Sequence, residues 1–161
     1  MAIVPTLHVY YCTETHNYHT MRCDNFFKEE KQKALFRAYK NARKALYNSG
    51  IPSNMIHKEA IRMAINTPQD RFWITPYRVY RLLIDVVNKK RDHMTYGTRK
   101  EMYRQIVDTY YKIRGKRIFS GRPLIYIAQF VAYEPSQGFY MSESRAGRMI
   151  AQEFRRRRTQ Q

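Results

Sequence analysis

Apolar residues recur at helical spacing along most of the chain after residue 24. Residues 26–48 form a first amphipathic helix in this pattern, and the segment Ser-Gly-Ile-Pro at 49–52 ends it. A second, shorter helix begins at Ser53, a good capping residue, and stops at Asn-Thr-Pro, residues 66–68. The inward faces of these two helices are predicted to carry Leu35, Tyr39, Ala42 and Leu46, and Ile56, Ala60, Met63 and Ala64.

The same pattern predicts four more elements. A third helix follows Thr75, with Pro76 at its first position, and runs to about Lys90. Thr98-Arg99-Lys100-Glu101 has capping-box spacing and opens a fourth helix, and Ser142 caps the last one. Between them, the apolar run at 122–133 predicts a buried helix, with a buried strand as the alternative. The inward residues of the third, fourth and last helices are Val79, Leu82, Leu83, Val86 and Val87; Met102, Ile106, Tyr110 and Ile113; and Ala146, Met149, Ile150 and Phe154.

One stretch of the chain recurs. RFWITPYRVYRLLIDVV at 71–87 resembles GFYMSESRAGRMIAQEF at 138–154, at a constant spacing of 67 residues that also relates Pro68 to Pro135. The sequence therefore predicts an all-α fold of two tandem three-helix units, residues 25–91 and 98–161, joined by RDHMTYGT, with a basic tail on the second unit. Residues 1–24, which include the β-forming segment LHVYYCT, predict a short strand-like amino-terminal arm.

The charge balance indicates what such a fold would bind. The 161 residues include 30 Lys and Arg against 13 Asp and Glu, which gives a net charge of +17. Self-repulsion of this size destabilises a compact fold, which indicates that a polyanion neutralises the charge. A nucleic acid is the commonest such partner. The 14 Tyr and 8 Phe indicate that a folded body carries the charge, rather than a disordered tail. We expect DNA in preference to RNA.

The basic residues lie mainly on two helices and one loop. At about 100° per residue, Arg78 and Arg81 point away from the apolar stripe, as do their counterparts Arg145 and Arg148. In the loop IRGKRIFSGRP, residues 113–123, glycines allow the backbone to approach a phosphate. Simple solvation, or pairing with acids such as Glu153, is the alternative for any one arginine. The predicted nucleic-acid-binding residues are Arg78, Arg81, Lys89, Lys90, Arg91, Arg114, Lys116, Arg117, Arg122, Arg145, Arg148, Arg155, Arg156, Arg157 and Arg158.

Aromatic pairs precede both capping residues. Phe72-Trp73 and Phe139-Tyr140 are predicted to pack in or beside the core, next to Ile74 and Met141. The alternative is that Trp73 and Tyr140 are exposed platforms on which bases stack.

Candidate chemistry beyond binding is sparse. Cys12, His16, His19 and Cys23 are residue types that hold zinc, but eleven residues of helix span about 16 Å, which argues against a single site. Surface histidines and packed thiols are the alternative. The Walker loop, GxGxxG, HExxH and GxSxG are absent, and the acids sit singly on helical surfaces. We predict no cofactor, no metal and no enzymatic activity, with a small metal-independent nuclease as the last alternative.

The segment Phe139-Tyr140-Met141-Ser142-Glu143-Ser144-Arg145, an aromatic pair before Ser-x-x-Arg and a helix, resembles a pattern in small basic proteins of tailed phages and conjugative elements. The resemblance implies a phage or mobile-element origin.

The longest apolar run is about half of what a bilayer span needs, so no membrane segment is predicted. We therefore expect a non-catalytic, largely sequence-independent nucleic-acid-binding protein of the bacterial cytoplasm or the phage particle. The alternative is a virion structural protein, such as a connector or ring, that contacts DNA, acidic neighbouring subunits or further copies of itself.

Overall fold

The computed structural model describes residues 19–88 and 97–159, and for residues 19–26 and 98 it defines the backbone alone. The described residues form six α-helices and one short 3-10 turn, and no strand. The helices are α1 (His19–Tyr47), α2 (Ser53–Ile65), α3 (Pro76–Val87), α4 (Thr98–Arg114), α5 (Leu124–Ala132) and α6 (Glu143–Arg158). The all-α prediction is confirmed, and the apolar run at 122–133 is a helix rather than a strand.

The helix ends follow local chemistry in most places. Thr75 and Ser142 cap α3 and α6 as predicted, each accepting a hydrogen bond from the amide three residues later, at 3.4 and 3.3 Å. Ser53 was predicted to cap α2, but it is the first helical residue, and Pro52 occupies the cap position without a side-chain bond. Gly97 occupies the corresponding position of α4.

The remaining differences lie at the ends and edges of the elements. Helix α1 begins at His19, inside the predicted arm; residues 1–18 of that arm and most of the RDHMTYGT connection lie outside the described residues. Met63 and Val87, which were predicted to face inward, are exposed. Ile61 is buried in place of Met63, because it faces α6, where its side chain lies next to Gly147.

The six helices pack into two groups. Helices α1, α2 and α6 surround one apolar cluster, which contains Leu35, Tyr39 and Ile150. Helices α3, α4 and α5 surround a second, which contains Leu83, Ile106 and Val131. The structure therefore does not confirm two self-contained units in tandem, because α3 and α6 each pack with the helices of the other predicted unit.

Two crossing segments carry the chain between the groups: residues 66–75, which precede α3, and residues 133–142, which precede α6. They meet in an antiparallel bridge, where the Gln69 amide donates to the Ser136 carbonyl at 2.8 Å and the Ser136 amide donates back at 3.0 Å. Two flanking bonds, Phe72 amide to Ala132 carbonyl and Phe139 amide to Ile65 carbonyl, lock each segment onto the end of the opposite helix. Every bond in this set has its counterpart at the spacing of 67 residues.

The repeated aromatic residues pack inside this crossing. Trp73 stacks on Phe139 with ring centroids 6.2 Å apart, and Phe72 stacks on Tyr140 at 6.3 Å. The Trp73 indole nitrogen donates to the Gln69 side chain at 3.3 Å, and the Tyr140 hydroxyl donates to the side chain of Gln105. Both rings have packing partners, as predicted, so neither is an open platform for bases.

Candidate nucleic-acid interface

A groove runs between the carboxyl-terminal halves of α1 and α6. Its α1 side consists of residues at positions i, i+3, i+4, i+7, i+8 and i+11, which is one continuous stripe of a helix. Phe154 and Arg157 of α6 form the other side, one turn apart. The eight lining residues are four aromatic and four cationic side chains: Phe36, Tyr39, Tyr47 and Phe154, with Lys40, Arg43, Lys44 and Arg157.

The floor of the groove is aromatic. Phe36 and Tyr39 are buried, and Phe154 meets both edge to face, with ring centroids 4.9 and 6.2 Å away. The Tyr39 hydroxyl shares a 2.8 Å hydrogen bond with Nδ1 of His57 on α2. Burial raises the pKa of Tyr39 above that of a free phenol, so this side chain is neutral. The floor is therefore the outer edge of the apolar core, and the polar group of Tyr39 already has a partner.

The walls of the groove are cationic. Arg43 donates to the Tyr47 hydroxyl at 2.6 Å and lies 5.3 Å from the centre of that ring. Arg157 lies 4.6 Å from the centre of the Phe36 ring, and Lys40 and Lys44 are exposed one turn apart on α1. No carboxylate lines the groove. Its potential is therefore positive, and an anion with a flat apolar part matches the lining.

A buried carboxylate anchors the end of α6. Glu153 is 1% exposed and accepts hydrogen bonds at 3.0 Å from both Arg156 and Arg157. A buried carboxylate needs such partners, because desolvation otherwise penalises its charge heavily. Two of the predicted binding arginines thus have a structural task as well.

A second cationic contact between α1 and α6 lies nearer their amino-terminal ends. Lys31 is partly buried, and its pKa is lowered to about 8, first by burial and then by the charge of Arg145. Gln32 fixes the same junction by donating to the Met149 carbonyl at 3.2 Å. The positive charge of Arg145 thus adds to the cost of keeping Lys31 protonated at this junction.

The predicted binding residues that the structure describes are all exposed. Three others, Lys89, Lys90 and Arg91, lie outside the described residues. Arg157 alone of the predicted set lines the groove. The charge of Arg145 contributes to the lowered pKa of Lys31. Arg114 donates to the Tyr110 hydroxyl at 2.8 Å, and Arg122 lies 5.4 Å from the Tyr126 ring centre. Nucleic-acid binding by all fifteen of these residues stays a prediction.

The sequence reasoning missed the α1 side of the groove. Lys40, Arg43 and Lys44 lie on the stripe that also holds Tyr39 and Tyr47, and this alternation of cations and aromatics along one helix face was the available signal. The sequence did not place α6 opposite this stripe of α1, because tandem units would pack α6 with α4 and α5 instead.

The described residues offer neither a cluster of metal ligands nor a membrane-spanning helix. Among the described side chains, no group of three His, Cys, Asp or Glu residues could hold a metal ion. The candidate set Cys12, His16, His19 and Cys23 lies outside those side chains. Within residues 19–88 and 97–159, no helix is long and apolar enough to cross a bilayer.

Comparison with protein-family models, with curated proteins and with solved structures finds no match.

Proposed function

We propose that this chain is a non-catalytic nucleic-acid-binding protein that holds the phosphate backbone largely independently of sequence. One observation carries the proposal: the groove between α1 and α6 combines four cations and four aromatic rings without a carboxylate in its lining. Phosphate contacts supply affinity, and aromatic surface accepts any base because every base has a flat π-face. The net charge of +17 supports the same conclusion, since a bound polyanion relieves the self-repulsion.

The proposal extends to the origin of the fold. We infer that the chain contains two copies of one three-helix unit that exchange their third helices. The spacing of 67 residues supports this, because it relates the caps of α3 and α6, the ends of α2 and α5, and both flanking bonds of the crossing. A source in a phage or mobile element, and a place in the bacterial cytoplasm or the phage particle, belong to the same proposal.

Fluorescence anisotropy tests the binding function. Labelled DNA and RNA, single-stranded and duplex, are titrated with protein over a range of salt concentrations. Each lost phosphate contact flattens the plot of log affinity against log salt by about 0.7 for a single strand and 0.9 for duplex DNA. We expect Lys40→Gln, Arg43→Gln and Lys44→Gln combined to flatten it by about 2.

A charge-matched variant serves as the control. Arg99→Gln, Lys100→Gln and Lys112→Gln combined remove the same charge from exposed positions of α4. We expect the control to change the slope by less than half as much as the α1 variant. Equal losses in the two variants would show that net charge alone binds, and absence of binding at low salt would overturn the function.

A second candidate, a structural subunit of a virion, is favoured by the outer face of α5. The outer face of α2 carries three charged residues, and the positions 67 residues later on α5 are uncharged. The pairs are Lys58 and Ile125, Glu59 and Tyr126, and Arg62 and Gln129. Ile118, just before α5, is 72% exposed. Exposed apolar surface of this kind is typical of assembly interfaces. Mass photometry of nucleic-acid-free protein tests this, since a subunit would form rings that fail to shift DNA.

A further inference from the structure

The groove between α1 and α6 is concave and apolar at its floor, which a duplex backbone does not require. It is a shallow, open groove of about 590 Å³, so a ligand in it would keep one side in solvent. A duplex presents phosphates and sugars on a convex surface and keeps its bases stacked inside. Phe36 and Tyr39 belong to the core, with 3% and 2% of their surface exposed, so the aromatic surface open to a ligand is that of Tyr47 and of the partly buried Phe154. An exposed ring beside cations fits a base that is already unstacked.

Tyr47 provides the stacking surface at the rim. Its ring is 58% exposed, although the Arg43 guanidinium fixes its position through a hydrogen bond and a ring contact. A tyrosine held in one orientation loses less rotamer freedom when a base stacks on it. The Tyr47–Arg43 pair is therefore a pre-organised platform.

Cations lie beside this platform along one direction of the groove. Lys44 and Lys40 lie about one and two turns before Tyr47 on the same stripe of α1, and Arg157 stands across the groove. The phosphates on one side of a base could thus be neutralised along α1 without moving a helix. The Tyr39 hydroxyl is occupied by His57, so the floor offers little hydrogen-bond readout of a base edge.

The other helix group lacks this combination. The residues 67 positions after Lys40, Arg43 and Lys44 are Val107, Tyr110 and Tyr111. The scaffold thus carries the cationic aromatic stripe on α1 and not at the equivalent positions of α4. This difference supplies matched controls within one chain, because Tyr111 and Tyr77 are 55% and 61% exposed.

We propose that the groove between α1 and α6 takes one unpaired nucleobase on Tyr47 with neighbouring phosphates of the strand on Lys40, Lys44 and Arg157, so that the protein is a single-strand binder. This rests on the proposed nucleic-acid binding and names its substrate class. Base recognition by stacking implies tolerance of sequence.

Three probes of equal length, about 15 nucleotides, test the proposal by anisotropy: oligothymidylate, the same backbone with abasic residues throughout, and a duplex. We expect the full-length protein to bind oligothymidylate about tenfold more tightly than the abasic strand. Tyr47→Ala should remove most of that difference and leave the abasic affinity unchanged. Tyr47→Phe should retain it, because the ring remains. Tyr77→Ala and Tyr111→Ala should behave as the unsubstituted protein.

Two outcomes would overturn the inference: equal affinity for the abasic strand and oligothymidylate, or tighter binding of the duplex. Either would leave nucleic-acid binding itself in place. Failure of all three probes to bind would instead remove the proposed function. Circular dichroism of Tyr47→Ala separates loss of stacking from loss of folding. Tyr47→Phe keeps the ring, so weak binding of oligothymidylate by this variant would also count against stacking.

Discussion

The indole ring of Trp73 lies parallel to the ring of Phe139, with 3° between the two planes. These residues come from the two crossing segments, and the stack joins the helix groups at the point where the chain passes between them. Arg71 covers the indole at 4.6 Å and pairs with Glu30 of α1. The repeated aromatic pairs thus hold the crossing together, which explains why both copies of the sequence keep two large rings before the helix cap.

Replacing Trp73 by Ala should lower the free energy of unfolding by about 3 kcal/mol, because it leaves a cavity where the two segments meet. Urea denaturation followed by far-ultraviolet circular dichroism measures the change. Tyr77→Ala, at an exposed position of α3, should change the same quantity by less than about 0.5 kcal/mol. Unchanged stability together with weaker nucleic-acid binding would instead identify Trp73 as a stacking platform.

Gly138 makes the crossing possible. A Cβ atom at this position would lie 2.6 Å from the carbonyl oxygen of Ile65, and that oxygen accepts the Phe139 amide. Gly138→Ala should therefore force the crossing segment away from α2 and lower the free energy of unfolding by about 1–3 kcal/mol.

Gly147 is the matched control for that substitution. It lies inside α6, and a Cβ atom there would meet the Ile61 side chain at 3.6 Å, an ordinary contact. Gly147→Ala should stabilise the protein by up to about 1 kcal/mol, because alanine favours the helix. Equal effects of the two substitutions would show that the close approach at Gly138 does not govern the crossing. Thermal unfolding of both variants provides the comparison.

The helices were predictable because their signals are local. Thr75 and Ser142 as caps, Pro76 at the first helical position and the inward stripes all act within one or two turns. Ser53 failed as a cap because Pro52 already sets the chain direction before α2. The repeat was also predictable, because residues 71–87 and 138–154 resemble each other directly in sequence.

The grouping of the helices was not predictable in this way. It depends on the direction that the chain takes through residues 66–75 and 133–142. The bridge between Gln69 and Ser136, which fixes that direction, has no sequence signal of its own. The groove was missed for the same reason. Its two sides come from helices far apart in sequence, so the arginine run of α6 was predicted without its partners Lys40 and Lys44 on α1.

The arginine run of α6 divides into two pairs with different tasks. Arg156→Gln and Arg157→Gln together would leave the buried carboxylate of Glu153 without either guanidinium partner. We expect the free energy of unfolding to fall by about 3 kcal/mol, because an unpaired buried charge is costly. Arg155→Gln and Arg158→Gln remove the same charge from exposed positions and should cost less than about 0.5 kcal/mol. Urea denaturation of both double variants distinguishes them, and equal losses would contradict the structural task of Glu153.

Lys31 should make stability depend on pH. Its pKa in the folded chain is about 8, against 10.5 for the free side chain. Below pH 8 both states hold the proton, and the folded state bears the full cost of the buried charge beside Arg145. Between pH 8 and 10.5 the unfolded chain binds a proton that the folded chain has released, so stability rises with pH.

Lys31→Met should therefore stabilise the protein at neutral pH by up to about 3 kcal/mol, because it removes the charge and keeps the apolar stem. The advantage should shrink as the pH approaches 10.5, where the lysine of the unsubstituted protein is neutral in the folded state and loses its proton in the unfolded one. Urea denaturation of both proteins across this range measures the difference, and subtracting the two curves cancels the tyrosines that titrate nearby. Lys33→Met, at an exposed position of the same helix, should show little change in stability. A constant difference at every pH would mean that packing, not charge, distinguishes the Lys31 variant.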